Sequence, residues 1–188
     1  MKMYELVEWF QINYPSLHHD LLMCSHNFDN SSINPYHIET DCWSHTMMVC
    51  KVAELYRYDT VVMVAALLHD IGKPSVRNIN MKNHHVQFFE HEDHSAKIAK
   101  DIVDKMVDEK MISFAQASEI IDLIQNHSIF FKDPHPHELF KMFEHSKTKY
   151  IHLVQLCYCD SLGRFTSNSY FDESKYKLLL SYAKNMSD

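Results

Sequence analysis

Glycine is nearly missing from this chain: 188 residues hold 2 of them, Gly72 and Gly163, against 5 prolines, which excludes glycine-rich linkers and repeated tight turns. Cysteine is sparse and odd in number. The 5 thiols, at positions 24, 42, 50, 157 and 159, make neither a disulfide framework nor a zinc-ribbon spacing, and are expected to be reduced core or surface residues. No long apolar run exists. The stretch Thr60 to Leu68 is far short of the roughly 20 residues that cross a bilayer. The N-terminus is acidic and amphipathic and does not resemble a signal peptide, so the expectation is a cytoplasmic protein that makes no use of a membrane. Basic residues are outnumbered, 18 Lys and Arg against 25 Asp and Glu, and the net charge of −7 excludes strong non-specific binding to nucleic acid, which draws on a basic surface. A nucleotide or an RNA end gripped locally stays allowed.

What is present describes a packed globular chain: 46% hydrophobic, 12% aromatic and 23% charged, with 15 histidines. The length suits one domain, residues 1–188, since no repeat, low-complexity tract or Ser/Gly linker marks a boundary. Helical periodicity predicts helices near residues 4–13, 41–58, 60–72, 93–109, 114–127, 136–146, 147–162 and 174–185, and no segment shows the sustained alternation of a half-buried strand. The fold class is therefore all-α. Asp41 and Asp93 are expected N-caps, and Pro136 suits a first turn. Segments 27–36 and 73–90 read as loops.

The informative polar residues are those that fall on buried stripes at i, i+3, i+4 spacing. His45 leads Met48, Val49, Val52 and Leu55. Val62, Ala65 and Ala66 lead to His69, Ile120, Leu123 and Ile124 to His127, and Leu153, Leu156 and Cys157 to Asp160. Asp70, beside His69, adds a second carboxylate. Buried carboxylates need partners or a shared cation, and this donor set suits a divalent transition metal such as Mn, Fe, Ni, Co or Zn. Taken singly, each histidine could equally be a hydrogen-bonded core residue. His94, His145 and His152 keep polar company on their helices and read as solvated, and the loop residues His84 and His85 read as exposed.

At these residues the sequence resembles the HD superfamily, whose pattern is a helix-borne His, an adjacent His-Asp pair and a distant Asp, here His45, His69 with Asp70, and Asp160. The surrounding words SHTMMV, ALLHDIGKP, FFEHEDHS, IQNHS and CDSLGR carry the likeness over roughly residues 36–166. PYHIETDCWSHT and LCYCDSLGR look most like the HD domain attached to some bacterial tRNA nucleotidyltransferases, whose activities are phosphatase and 2′,3′-cyclic phosphodiesterase. Nothing here resembles the nucleotide-adding head of those enzymes.

The resemblance implies an HD helical bundle with a central metal cleft and hydrolysis of a phosphate ester by metal-activated water. It implies metal ligation by His45, His69, Asp70 and Asp160, with Asp70 also taking the water's proton. Lys73 and Arg164 would contact phosphate, and Arg164 is one of only 3 arginines. His91 and His127 match positions that hold a second metal in some relatives, so one or two ions are expected; otherwise they would touch substrate. Glu92 would orient His91 or stand exposed, and His37 flanks the cleft as a substrate contact. Gly72 and Gly163 are expected to let the backbone turn sharply beside the ligands. Partners are a nucleotide or an RNA-end phosphate, and pairing into a homodimer is allowed. Rival readings are an HD-fold di-iron oxygenase, a nucleotide-binding module without turnover, and a structural helical adaptor.

Overall fold

The computed structural model describes residues 1–29, 34, 37–132, 135–166 and 173–184. The chain forms helices α1 (Met3–Asn13), α2 (Pro15–Met23), α3 (Cys42–Leu55), α4 (Thr60–Leu68), α5 (Lys73–Val76), α6 (His91–Asp108), α7 (Phe114–Asn126), α8 (Pro136–Met142), α9 (Lys147–Leu162) and α10 (Glu173–Lys184). The short strands β1 (Asn78–Asn80) and β2 (His85–Gln87) pair antiparallel between α5 and α6. The all-α class holds.

α4 is the axis of the bundle. Every residue from Val61 to Leu68 is buried, so this helix is apolar all round and is enclosed by α3, α7 and α9. Each Val or Leu so buried contributes roughly 1.5–3 kcal/mol. One contiguous core runs from Met3 to Ala183 and takes in residues of α1 and α10. Side chains start the helices as local chemistry dictates. Asp41 accepts from Ser44 N–H at 2.8 Å, Asp59 from Val62 N–H at 3.1 Å, and Ser113 forms a capping box with Gln116. Among the described residues no helix is long and apolar enough to cross a membrane.

Several expectations need correction. The helix expected over 60–72 ends at Leu68, and a tight turn through His69–Gly72 leads into α5. Segment 73–90 is not a plain loop but carries α5 and the hairpin. Asp93 is not a cap: α6 begins at His91, after Glu90 in the left-handed region at φ 60°. Helix α2 lies where no helix was expected, and the segment over 136–146 stops being helical after Met142. The glycines are not conformational devices either, since neither has positive φ. Each is a contact point: a Cβ on Gly163 would lie 2.7 Å from the Val49 backbone in α3, and one on Gly72 would lie 2.4 Å from Ser95 N in α6.

His152, expected in solvent, is buried on α9 with Nε2 2.9 Å from Asp59 and Nδ1 2.6 Å from Glu119. Burial opposes its protonation, but the hydrogen bonds to Asp59 and Glu119 prevail and raise its pKa from 6.5 to about 9. Because the folded value is the higher one, this stabilisation is complete below pH 6.5 and disappears as pH rises through about 9. Melting temperature is therefore expected to fall from pH 6 to pH 10 more steeply in the wild type than in His152→Gln. Parallel curves would refute the assignment.

Candidate metal centre

Helix ends bring the polar residues together. His45 stands in the first turn of α3, His69 and Asp70 follow the last turn of α4, His91 opens α6, His127 is the C-cap of α7, and Asp160 lies near the end of α9. The last carbonyls of a helix lack an intrahelical donor. Here imidazoles supply it: His69 Nδ1 donates to Ala66 O at 2.9 Å and His127 Nδ1 to Ile124 O at 2.7 Å. His91 Nδ1 donates in the same way to Phe88 O at 2.9 Å, and His45 Nδ1 to Gly163 O at 3.0 Å.

A carbonyl can only accept, so each of these Nδ1 atoms carries the proton, and Nε2 is left to present a lone pair in the neutral ring. The Nε2 atoms face one another. His45 and His69 are 3.4 Å apart, and His91 and His127 are 3.2 Å apart. Between the pairs sits the Asp70 carboxylate, 1% exposed. Its Oδ2 is 3.2 Å from His69 and 3.5 Å from His45, and its Oδ1 is 3.3 Å from His91 and 3.7 Å from His127. Lys73 Nζ stands 2.7 Å from Oδ2 as an ion pair, yet neither Asp70 oxygen receives an aligned hydrogen bond from a described residue. Asp160 Oδ1 adds a carboxylate oxygen 3.0 Å from His45 Nε2, while Oδ2 takes Arg164 Nη2 at 2.5 Å.

Facing lone pairs around an orphaned buried carboxylate repel one another unless a cation lies among them, so the donors fit a metal. Two sets of mutually close ligand atoms share Asp70: His45, His69 and Asp70, then Asp70, His91 and His127. Electrostatics keep the two carboxylates anionic. Burial would raise the Asp70 carboxyl, but the His69 imidazole and Lys73 ammonium hold it well below the usual carboxylate range. Asp160 is likewise held down against its burial, chiefly by Arg164. Burial, reinforced by neighbouring His69, lowers His127 to about 4 and keeps its ring neutral near pH 7. His45 and His91 are raised instead, burial being outweighed by the Asp160 and Asp70 carboxylates respectively.

A cleft of about 220 Å³ opens onto this group, with His37, Lys73, Phe88 and Arg164 in its walls. Every residue expected at the site is thus in one place. Glu92 is at its edge, accepting from Ser128 Oγ and lying 3.3 Å from His91 Nδ1. His84 and His85 are exposed on the hairpin, away from these walls. Two residues had been overlooked. Glu39, 7% exposed, sits 2.6 Å from His37 Nδ1 and 3.4 Å from His45 Nδ1, and accepts Phe165 N–H at 2.9 Å. His26 is buried, stacks on His37 with ring centroids 4.3 Å apart, and places Nε2 3.5 Å from Lys73 Nζ. Its pKa falls to about 2, through burial first and then the Lys73 charge.

This is the centre of a helical bundle whose His and Asp side chains can hold divalent metal at the end of an apolar axial helix. Residues 42–162, well over half of the chain, match the model of the HD domain, and the chain belongs to that family. Membership carries with it metal-dependent phosphohydrolase-type chemistry. No curated protein matches the chain.

Proposed function

We propose that the protein is a metal-dependent phosphohydrolase, a phosphomonoesterase or phosphodiesterase, acting on a nucleotide or on an RNA 2′,3′-cyclic phosphate end. The observation that carries this reading is the pair of facing imidazole couples, 3.4 and 3.2 Å apart, on the two oxygens of one buried carboxylate. His45, His69, Asp70 and Asp160 would hold the first ion, and Asp70, His91 and His127 have the donors for a second. Such a cation would supply a water of lowered pKa and offset charge on the phosphoryl oxygens.

Asp70, shared by both donor sets, accepts the proton of the attacking water. Lys73 and Arg164, in the cleft wall, hold the phosphate, and the fork of Arg164 is fixed by its Nε bond to Asp160 O at 3.1 Å. His37, in the same cleft wall, contacts the substrate, with Glu39 setting its ring. The helices outside the matched region belong to the same domain: the Tyr150 hydroxyl bond to Leu179 O at 3.1 Å supports this for α10, and Leu6, Phe10 and Leu21 in the common core support it for α1 and α2. The substrate class rests on the resemblance of PYHIETDCWSHT and LCYCDSLGR to the HD domain of tRNA nucleotidyltransferases. The acidic net charge of −7 favours a small phosphate ester over a long polyanion.

The test is a screen of nucleotides, nucleoside 2′,3′-cyclic phosphates and a chromogenic phosphodiester with Mn, Co, Ni, Zn or Fe supplied, and Asp70→Ala as the blank. Metal-dependent product release is expected. A protein that binds nucleotide and releases nothing would be a sensor instead. The bridging position of Asp70 also suits a di-iron oxygenase, and an iron chromophore with oxygen consumption and no phosphate release would establish that reading.

A further inference from the structure

We infer that Cys24 and Cys42 form a redox-active dithiol, which a small-molecule disulfide converts to an intramolecular disulfide, and that this change is transmitted to His26 and Lys73. The second half rests on the functional reading given above. The first rests on backbone geometry alone. Ser25 and Asp41 form an isolated antiparallel bridge, and the same register sets Cys24 opposite Cys42. Cys42 N–H donates to Cys24 O at 3.0 Å, and beyond the bridge His26 N–H donates to Thr40 O at 3.1 Å. The first of these is the one backbone bond the two cysteines exchange, since Cys24 N–H goes to Leu21 O at 3.4 Å, and facing antiparallel residues have Cα atoms about 4.5–5.5 Å apart. A disulfide spans Cα separations of about 4.4–6.8 Å.

The other thiols have no such arrangement. Cys50, Cys157 and Cys159 are packed in the core, where burial pushes their pKa values up. Cys24 instead lines a surface cavity of about 380 Å³ beside Ile71, Pro74 and Arg77. The Cys42 thiol lowers the Cys24 pKa, against burial, and the Arg77 and Lys73 cations add to the effect. Cys24 is 4% exposed and Cys42 is fully buried, so a small disulfide reaches the pair through this cavity, and the lowered pKa at the cavity wall marks Cys24 as the attacking sulfur.

The exchange balances. The Cys24 thiolate attacks one sulfur of the small disulfide and expels one thiolate. The Cys42 sulfur, giving up its proton to solvent, then attacks the mixed disulfide at Cys24 and expels the second thiolate. Two protein thiols are oxidised, and one disulfide molecule is reduced to two thiols. The connection to the cleft is short: Cys42 Sγ is 3.5 Å from His26 Nε2, which is 3.5 Å from Lys73 Nζ, which pairs with Asp70 at 2.7 Å. A Cys42 sulfur bonded to Cys24 has no S–H left to offer His26 Nε2, and His26 Nδ1 is buried with no hydrogen-bond partner among the described residues.

The full chain would be equilibrated in a series of glutathione and glutathione disulfide mixtures, quenched in acid, alkylated and mapped by peptide mass spectrometry. A Cys24–Cys42 link forming in preference to any other, absent from Cys24→Ser and Cys42→Ser and reversed by dithiothreitol, is expected. Both thiols staying open to alkylation throughout, or pairing with other cysteines, would overturn it. Hydrolysis by the oxidised protein is expected to fall several-fold and to recover on reduction, with no such response in Cys24→Ser. Equal rates in the two states would remove the coupling and leave the dithiol standing. An enzyme inactive in both would discredit the phosphohydrolase reading, while the peptide map still decides the dithiol.

Discussion

Asp70→Asn is expected to reduce metal-dependent kcat/KM by at least about 10³-fold, or about 4 kcal/mol of transition-state stabilisation, with the helical fold retained. The size follows from position. Among the described residues Asp70 is the one side chain whose two oxygens serve different imidazole pairs, Oδ2 towards His45 and His69 and Oδ1 towards His91 and His127. An amide presents one weak acceptor and one donor, so a donor group would face lone pairs on one side or the other. Metal per chain should fall with activity. Asp70→Ala removes the same function and also leaves the buried Lys73 ammonium without its partner at 2.7 Å, so it should unfold more readily than the isosteric change. An Asp70→Asn protein that keeps both its metal content and its turnover would disprove the assignment.

Gly163→Ala is expected to lower stability and activity together. The added methyl would lie 2.7 Å from Val49 N and Cα and 2.6 Å from its Cγ2, and helix backbone cannot swing aside as a surface side chain can. Overpacking of this kind costs about 1–3 kcal/mol. At about 2–4 °C per kcal/mol for a chain of this length, calorimetry should show a lower Tm. Activity should suffer too, because Gly163 O receives His45 Nδ1 at 3.0 Å, and separating α9 from α3 lets that imidazole turn. Unchanged Tm and unchanged turnover in Gly163→Ala would show that the two helices have room to part.

Much of this centre is legible before any coordinates, for a simple reason. His45, His69, His127 and Asp160 prolong apolar stripes, and a stripe determines which way its last residue points. Asp70 follows from standing next to the inward His69, and His91 only from motif likeness, since neither sits on a long stripe. Glu39 and His26 lie in irregular chain before α3, where no period orients a side chain. The same limit hid α2, whose His18, His19 and Asp20 interrupt any stripe and which buries Leu21 alone. The hairpin strands are three residues each, too short for alternation to register. His152 was misjudged because Lys149 and Gln155 share its helix face, while the carboxylates that claim it arrive from the start of α4 and from α7. The glycines were misjudged because rarity suggested a special backbone angle, whereas what their positions require is space.

The imidazoles clasped to carbonyls at or just before helix ends have a consequence for how such a centre tolerates change. His69, His91 and His127 each take their bearing from a carbonyl three residues back, so their aim is set within a single turn of chain. His91 takes its carbonyl from Phe88, just before α6. For His69 and His127 the carbonyl belongs to the helix itself, so the stretches that join one helix to the next do not aim these two rings. Those joints can lengthen, shorten or change composition across generations while the rods keep their packing, and the chemistry at the tips stays in register.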